Sequence, residues 1–144
     1  MSESNEHKAL VKKIELYVKK ETEFLHYQDG LMINKEAGLQ SFDEIVIKAT
    51  ADIEISHVEK KIYILGEAKT SMYPINDKAG MGIRQLNIYI DLLLLNQNSH
   101  LIYATPYMDI RHTKFEVSRA IEKRGIPNNQ IKTHFIDLDD LYKV

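Results

Sequence analysis

The chain of 144 residues contains no cysteine, which excludes disulfide bridges and thiolate metal sites and allows a reducing compartment. Its longest purely apolar run is Leu92 to Leu95, far short of the roughly 20 residues that span a membrane. The opening, MSESNEHKAL, lacks the basic-then-apolar pattern of a secretory signal, so a soluble, cytoplasmic protein is expected. The three prolines and six glycines gather in no linker, and there is neither an internal repeat nor a low-complexity tract. An excess of charge of one sign is missing too, with 19 Lys+Arg against 21 Asp+Glu. At 44% hydrophobic and 28% charged residues, the composition excludes a disordered tail, a fibrous repeat and a coiled-coil rod. What remains is one domain over residues 1–144.

The near-zero net charge hides local patches. Residues 29–59 hold seven acidic and two basic side chains, whereas 60–84 hold five basic and two acidic. A second basic stretch, 109–125, carries Arg111, Lys114, Arg119, Lys123 and Arg124 against three acids. The field near a surface is set by neighbours within a Debye length of about 8–10 Å, so such patches can hold an anionic polymer. Charge runs on helices are more usually just solvated faces.

Apolar positions Leu10, Val11, Ile14, Tyr17, Val18, Phe24 and Leu25 recur at helical spacing and predict an amphipathic helix over Lys8–Leu25. Tyr27–Gln40, punctuated by Gly30 and Gly38, reads as a turn with a short extended piece at Leu31–Ile33. Three β-rich runs follow, Asp43–Ala49, Ala51–Val58 and Lys61–Thr70, as a meander. Met81–Asn96 is a helix apolar on nearly every side, which belongs between layers or against another chain, and motivates a homodimer through residues 81–96. A strand over His100–Thr105, a helix over Asp109–Arg124 and a last strand over Ile131–Leu138 complete the chain. The fold class is therefore α/β with a mixed sheet, the strand from 100 being parallel to a neighbour because a helical crossover leads to it.

The stretch ADIEISHVEKKIYILGEAKT, Ala51–Thr70, carries the chemistry. A hairpin centred between Glu59 and Lys60 sets Ser56 opposite Tyr63 and Asp52 opposite Glu67. Lys69 shares the face of Glu67, while Ile53, Ile55, Ile62, Ile64 and Ala68 take the core face. Opposed carboxylates repel and call for a cation. Two carboxylates with several waters suit Mg²⁺, with Mn²⁺ as a substitute, and Lys69 can orient water and stabilise developing phosphate charge. The competing explanation is a surface salt-bridge cluster on a solvated sheet face.

Asp52, then fourteen residues, then Glu67-Ala68-Lys69, with the acid on the second strand and Glu-x-Lys on the third after a leading helix, resembles the PD-(D/E)XK nuclease superfamily. The resemblance covers roughly residues 8–105 and implies an α-β-β-β-α-β core, with residues 106–144 as an added helix and strand. It implies a Mg²⁺-dependent nuclease acting on DNA in which Asp52 and Glu67 bind metal, the Ala68 carbonyl adds a ligand and Lys69 serves the water. Glu21 lies within the apolar stripe of the first helix, where a carboxylate is costly unless paired or ligated, and members similar to Holliday-junction resolvases place such an acid at the metal; the competing reading ends the helix before Glu21 or pairs the acid with a lysine. Gln85 resembles the helix glutamine of several branches, including virus-type replication-repair nucleases, where it positions substrate or the lysine; as an isolated glutamine it is equally a polar flank of the helix. Ala51 replaces the motif's proline, and Glu54 is a second acid on the Asp52 face.

Other chemistries find little footing. The six histidines have no zinc-ligand spacing and are expected to fill surface and core. Gly80-Met81-Gly82 lacks the Lys-Ser/Thr of a phosphate loop, and no serine-nucleophile signature is present. The alternative to an enzyme is a noncatalytic nuclease-like subunit of a nucleic-acid-processing or defence assembly.

Overall fold

The computed structural model describes residues 5–39, 49–69, 81–105, 110–127 and 129–137. Helix α1, Asn5–Lys20, buries Leu10, Val11, Ile14 and Val18 along one stripe. It stops earlier than the periodicity predicts. Glu21 takes an extended conformation (φ −67°, ψ 140°) and opens a 3₁₀ segment, Thr22–Gly30. Gln28 Nε2 donates to the carbonyls of Val18 and Phe24, satisfying acceptors that the helix end leaves open. Phe24 is fully buried by this fold-back, not by a continuing helix.

Strands β1 (Leu31–Leu39), β2 (Ala49–His57) and β3 (Tyr63–Ala68) form an antiparallel meander. The crossover helix α2, Met81–Leu93, leads to β4, Ser99–Ala104, and α3, Ile110–Lys123, leads to β5, Ile131–Ile136. Both crossovers give parallel pairs, β3 with β4 and β4 with β5, in a five-stranded mixed sheet of order β1-β2-β3-β4-β5. The mixed α/β class read from the sequence is the class observed.

The first strand of the meander differs from the expectation. Residues 31–39, read as mostly turn, form β1. The expected run Asp43–Ala49 falls outside the described residues except for Ala49, which opens β2. Gly30 is not a turn signal here: a Cβ at that position would come within 2.4 Å of the His57 ring, so the glycine permits a close approach. The β2–β3 register is the expected one, pairing Ile53 with Gly66 and Ser56 with Tyr63.

Two cores flank the sheet. On one face α1 packs Leu10, Ile14 and Val18 against Ile53, Ile55, Ile62, Ile64 and Ala68, the apolar set expected of the hairpin. Ile14 lies so close to Gly66 that a Cβ there would sit 2.9 Å from Ile14 Cγ2 and 2.5 Å from Ile53 Cγ2. On the other face α2 and α3 cover Leu65, Leu101 and Tyr103 with Leu86, Tyr89, Ile90, Leu93, Val117 and Ile121. Part of the apolar girth of α2 is thus covered within the chain, and Arg124, just past α3, ties to the Asn87 carbonyl and to Asp91 of α2. Leu95, just past the helix, stays exposed. No helix among the described residues is long and apolar enough to cross a membrane.

Candidate active site

Strand β2 changes character at Asp52. Side chains two apart on a strand share a face, yet Ala51 packs with the α2–α3 core and Ile53 with the α1 core, so the strand rotates through Asp52. On its β1 side, Lys35 pairs with Ile53 and Ala37 with Ala51, and between them Glu36 has φ 54°. A non-glycine residue at positive φ is a costly local conformation that tends to mark functional positions.

On its β3 side the regular ladder ends at Ile53–Gly66, and the carboxylates take over its donors. The Asp52 amide donates to Glu67 Oε1 at 3.1 Å, and the Ala68 amide donates to Asp52 Oδ2 at 2.7 Å. Lys69 Nζ lies 3.1 Å from Glu67 Oε2. Asp52, Glu67 and Lys69 therefore meet in one place, with Ala68 contributing its amide to the same network. The site lies at the C-terminal end of β3, where parallel strands in open α/β sheets carry their ligands.

The pair is electrostatically loaded. Glu67 is almost wholly buried; burial, reinforced by the Asp52 charge and opposed by Lys69, pushes its carboxyl up to about 7. Lys69 alone does not offset the desolvation and the neighbouring acid, so a further cation would be stabilised between the carboxylates. Tyr103, level with Glu67 on β4, and Tyr89 of α2 are held well above the ordinary phenol range, by burial first and the Glu67 charge next. Tyr103 Oη and Gln85 Oε1 are buried without a hydrogen-bond partner among the described residues. Such orphaned groups favour a polar occupant, water or ligand. The donor set fits a hard divalent ion: two carboxylates, no sulfur, and polar neighbours able to orient its waters.

Gln85 stands close by. Its Nε2 lies 3.4 Å from the Thr50 carbonyl, which also accepts from Tyr89 Oη at 3.2 Å, placing the glutamine against β2 two residues before Asp52. Glu21 is not brought to this site. The helix ends before it, and its charge acts on His134 of β5, two strands away from β3. Glu54 does not compete with Asp52, because Tyr63 Oη and Asn34 Nδ2 donate to it.

Sequence reasoning missed His7, whose Nε2 lies 3.2 Å from Asp52 Oδ2. It sits seven residues before Ile14, on the same helical stripe, so extending that stripe toward the N-terminus would have found it. Also unanticipated is the cleft beside Asp52, lined by Lys8 and Lys12 of α1 and Lys35 of β1. Glu15 gathers Lys12, Lys19 and Lys35 at 3.5, 2.8 and 3.1 Å. The Lys19 hydrogen bond, aided by Lys35, holds its carboxyl down at about 2 against burial.

The histidines are not all scattered. His100 Nδ1 and His134 Nε2 meet at 3.0 Å beneath Phe24, and burial lowers both, His100 to about 3. In sequence they are 34 residues apart, and only the β4–β5 register makes them neighbours.

Comparison with known proteins returns no match, whether to a protein-family model, a curated protein or a solved structure.

Proposed function

We propose that the chain is a metal-dependent nuclease that hydrolyses phosphodiester bonds in DNA. The observation that carries this reading is the interlocked pair Asp52–Glu67 with Lys69 on the outer oxygen of Glu67. In arrangement and chain order it resembles the PD-(D/E)XK superfamily. Asp52 and Glu67 would hold Mg²⁺ or Mn²⁺, with the Ala68 carbonyl as a further ligand. The ion, when bound, supplies Lewis acidity toward a phosphoryl oxygen and makes its water a stronger acid.

The other roles belong to the chain's own residues. Lys69 holds a positive charge where the phosphate becomes more negative and keeps water oriented by hydrogen bonding. His7 fixes one oxygen of Asp52, and Gln85 presents an unpartnered amide oxygen on the β2 side. The lysines of the α1–β1 cleft and the basic face of α3, where Arg111, Lys114, Arg119 and Lys123 are exposed, provide phosphate contacts. A second copy of the chain docking on the uncovered part of 81–96 is a further proposal, and a monomer in light scattering at micromolar concentration would remove it.

The test is a divalent-metal-dependent cleavage assay on plasmid, single-stranded and branched DNA with wild type, Asp52→Asn and Lys69→Ala. Cleavage in Mg²⁺ or Mn²⁺ that both substitutions abolish is the expected result. Cleavage that survives Lys69→Ala overturns the site assignment. DNA binding without cleavage by wild type favours the noncatalytic subunit instead.

A further inference from the structure

A second constellation lies on the α1 face of β4 and β5. His100 and His134 are buried, and the nitrogens that face each other are 3.0 Å apart. Their outer nitrogens are both anchored: His100 Nε2 lies 3.0 Å from Asn98 Oδ1, and His134 Nδ1 lies 2.8 Å from Tyr17 Oη. An amide oxygen only accepts, so His100 Nε2 carries its ring's hydrogen and Nδ1 presents a lone pair toward His134. Glu23 closes the group, with Oε2 at 3.9 Å from His100 Nδ1 and Oε1 at 3.6 Å from His134 Nδ1. Among the described residues, Glu23, His100 and His134 each bring one ligand atom within 4.8 Å of the others.

We propose that Glu23, His100 and His134 form a binding site for a divalent transition-metal ion, of which zinc is the type. Imidazole with one carboxylate is a zinc donor set, not a magnesium one. At metal–nitrogen distances of about 2.0–2.1 Å, two ligands of a tetrahedral ion stand about 3.3 Å apart. The observed 3.0 Å needs a slight opening together with a tilt of the rings, because the nitrogens point at each other in the hydrogen bond and both must point at the ion when it is bound. Glu23 is partly exposed and free to close the remaining gap, and water completes the coordination from its side. The hydrogen bonds from Asn98 and Tyr17 are the outer contacts that orient ligating histidines.

Without an ion the four groups form a neutral chain in which Tyr17 donates to His134 Nδ1 and His134 Nε2–H donates to His100. On loading, His134 takes its other tautomer, Nδ1–H donates to the Tyr17 oxygen, and Nε2 turns its lone pair to the metal. The bound ion clips the 3₁₀ segment, which carries Glu23, to the two C-terminal strands. It shares no residue with the Asp52–Glu67 site.

The test uses the full chain, stripped with chelator and exchanged into chelator-free buffer, and zinc chloride alone as the probe. Calorimetric titration and thermal melts are run on wild type, Asp52→Asn, Glu23→Gln and His134→Gln. One zinc is expected per Asp52→Asn chain, with a rise in melting temperature, since the site is independent of Asp52. Glu23→Gln, a surface change that leaves folding intact, weakens this binding about tenfold or more, and His134→Gln abolishes it. Failure of Asp52→Asn to take up zinc, or an affinity unchanged by Glu23→Gln, overturns the proposal. Neither result bears on cleavage at the other site.

Discussion

Asp52 donates its backbone amide to the side chain of Glu67, and the amide following Glu67 donates to the side chain of Asp52. Where one more rung of the β2–β3 ladder would lie, two carboxylates accept from the opposing backbone. The exchange places both acids at fixed positions without the rotamer freedom that surface acids retain, and it carries the predictions that follow.

Glu67 makes stability depend on pH in an unusual direction for an acid. Its folded carboxyl titrates near 7 against 4.5 in the unfolded chain, so between these values the folded state binds more protons. Stability from this group is complete below pH 4.5, falls as pH rises toward 7 and is level above it. Glu67→Gln is therefore expected to stabilise the metal-free protein at pH 8 by about 3 kcal/mol and to leave it nearly unchanged at pH 4. Urea unfolding at the two pH values checks this. Equal effects at both would contradict it.

The contact between α1 and β3 is too tight for a side chain at Gly66. Gly66→Ala forces Ile14 and Ile53 apart and is expected to cost about 1–3 kcal/mol, read as a lowered denaturant midpoint. Adding Ile14→Val, which removes only Cδ1 at 3.4 Å and leaves Cγ2 at 2.9 Å in place, recovers little of the loss.

Lys8 lines the cleft at Asp52 and is exposed. If it contacts a phosphate, Lys8→Ala lowers the slope of log affinity against log salt by about 0.9, measured by DNA binding across a salt series. Lys20→Ala at the opposite end of α1 leaves the slope unaltered.

His7→Ala removes the side chain that fixes Asp52 Oδ2. Its effect falls on ion use more than on DNA binding: the Mg²⁺ concentration for half-maximal cleavage rises about tenfold or more, while DNA affinity in chelator stays constant. A loss of DNA affinity with unchanged Mg²⁺ dependence would assign His7 to substrate instead.

Much of this site was legible because it depends on a hairpin. Strand alternation and a turn centre at Glu59–Lys60 suffice to oppose Asp52 and Glu67 and to separate Lys69 from the isoleucines. The edge strand β1 was not legible, since Gly30 and Gly38 mimic turn punctuation and its outward residues are polar. Of the two readings open for Glu21, the helix ending before it is the one observed, and a helical wheel alone cannot decide between them because it does not show where the chain leaves the helix. The His100–His134 contact rests on the offset between β4 and β5, which no local pattern encodes. His7 falls within α1, which begins at Asn5 and not at Lys8, where the apolar periodicity first shows.

The central claim is that Asp52 and Glu67 share one divalent ion. Crystals grown with Mn²⁺ and measured for anomalous scattering address it directly. An anomalous peak is expected within about 2.0–2.3 Å of an oxygen of each carboxylate, the range of hard divalent ions, and it disappears in Asp52→Asn. Density confined to Glu23, His100 and His134, or no peak between the two acids, would contradict it.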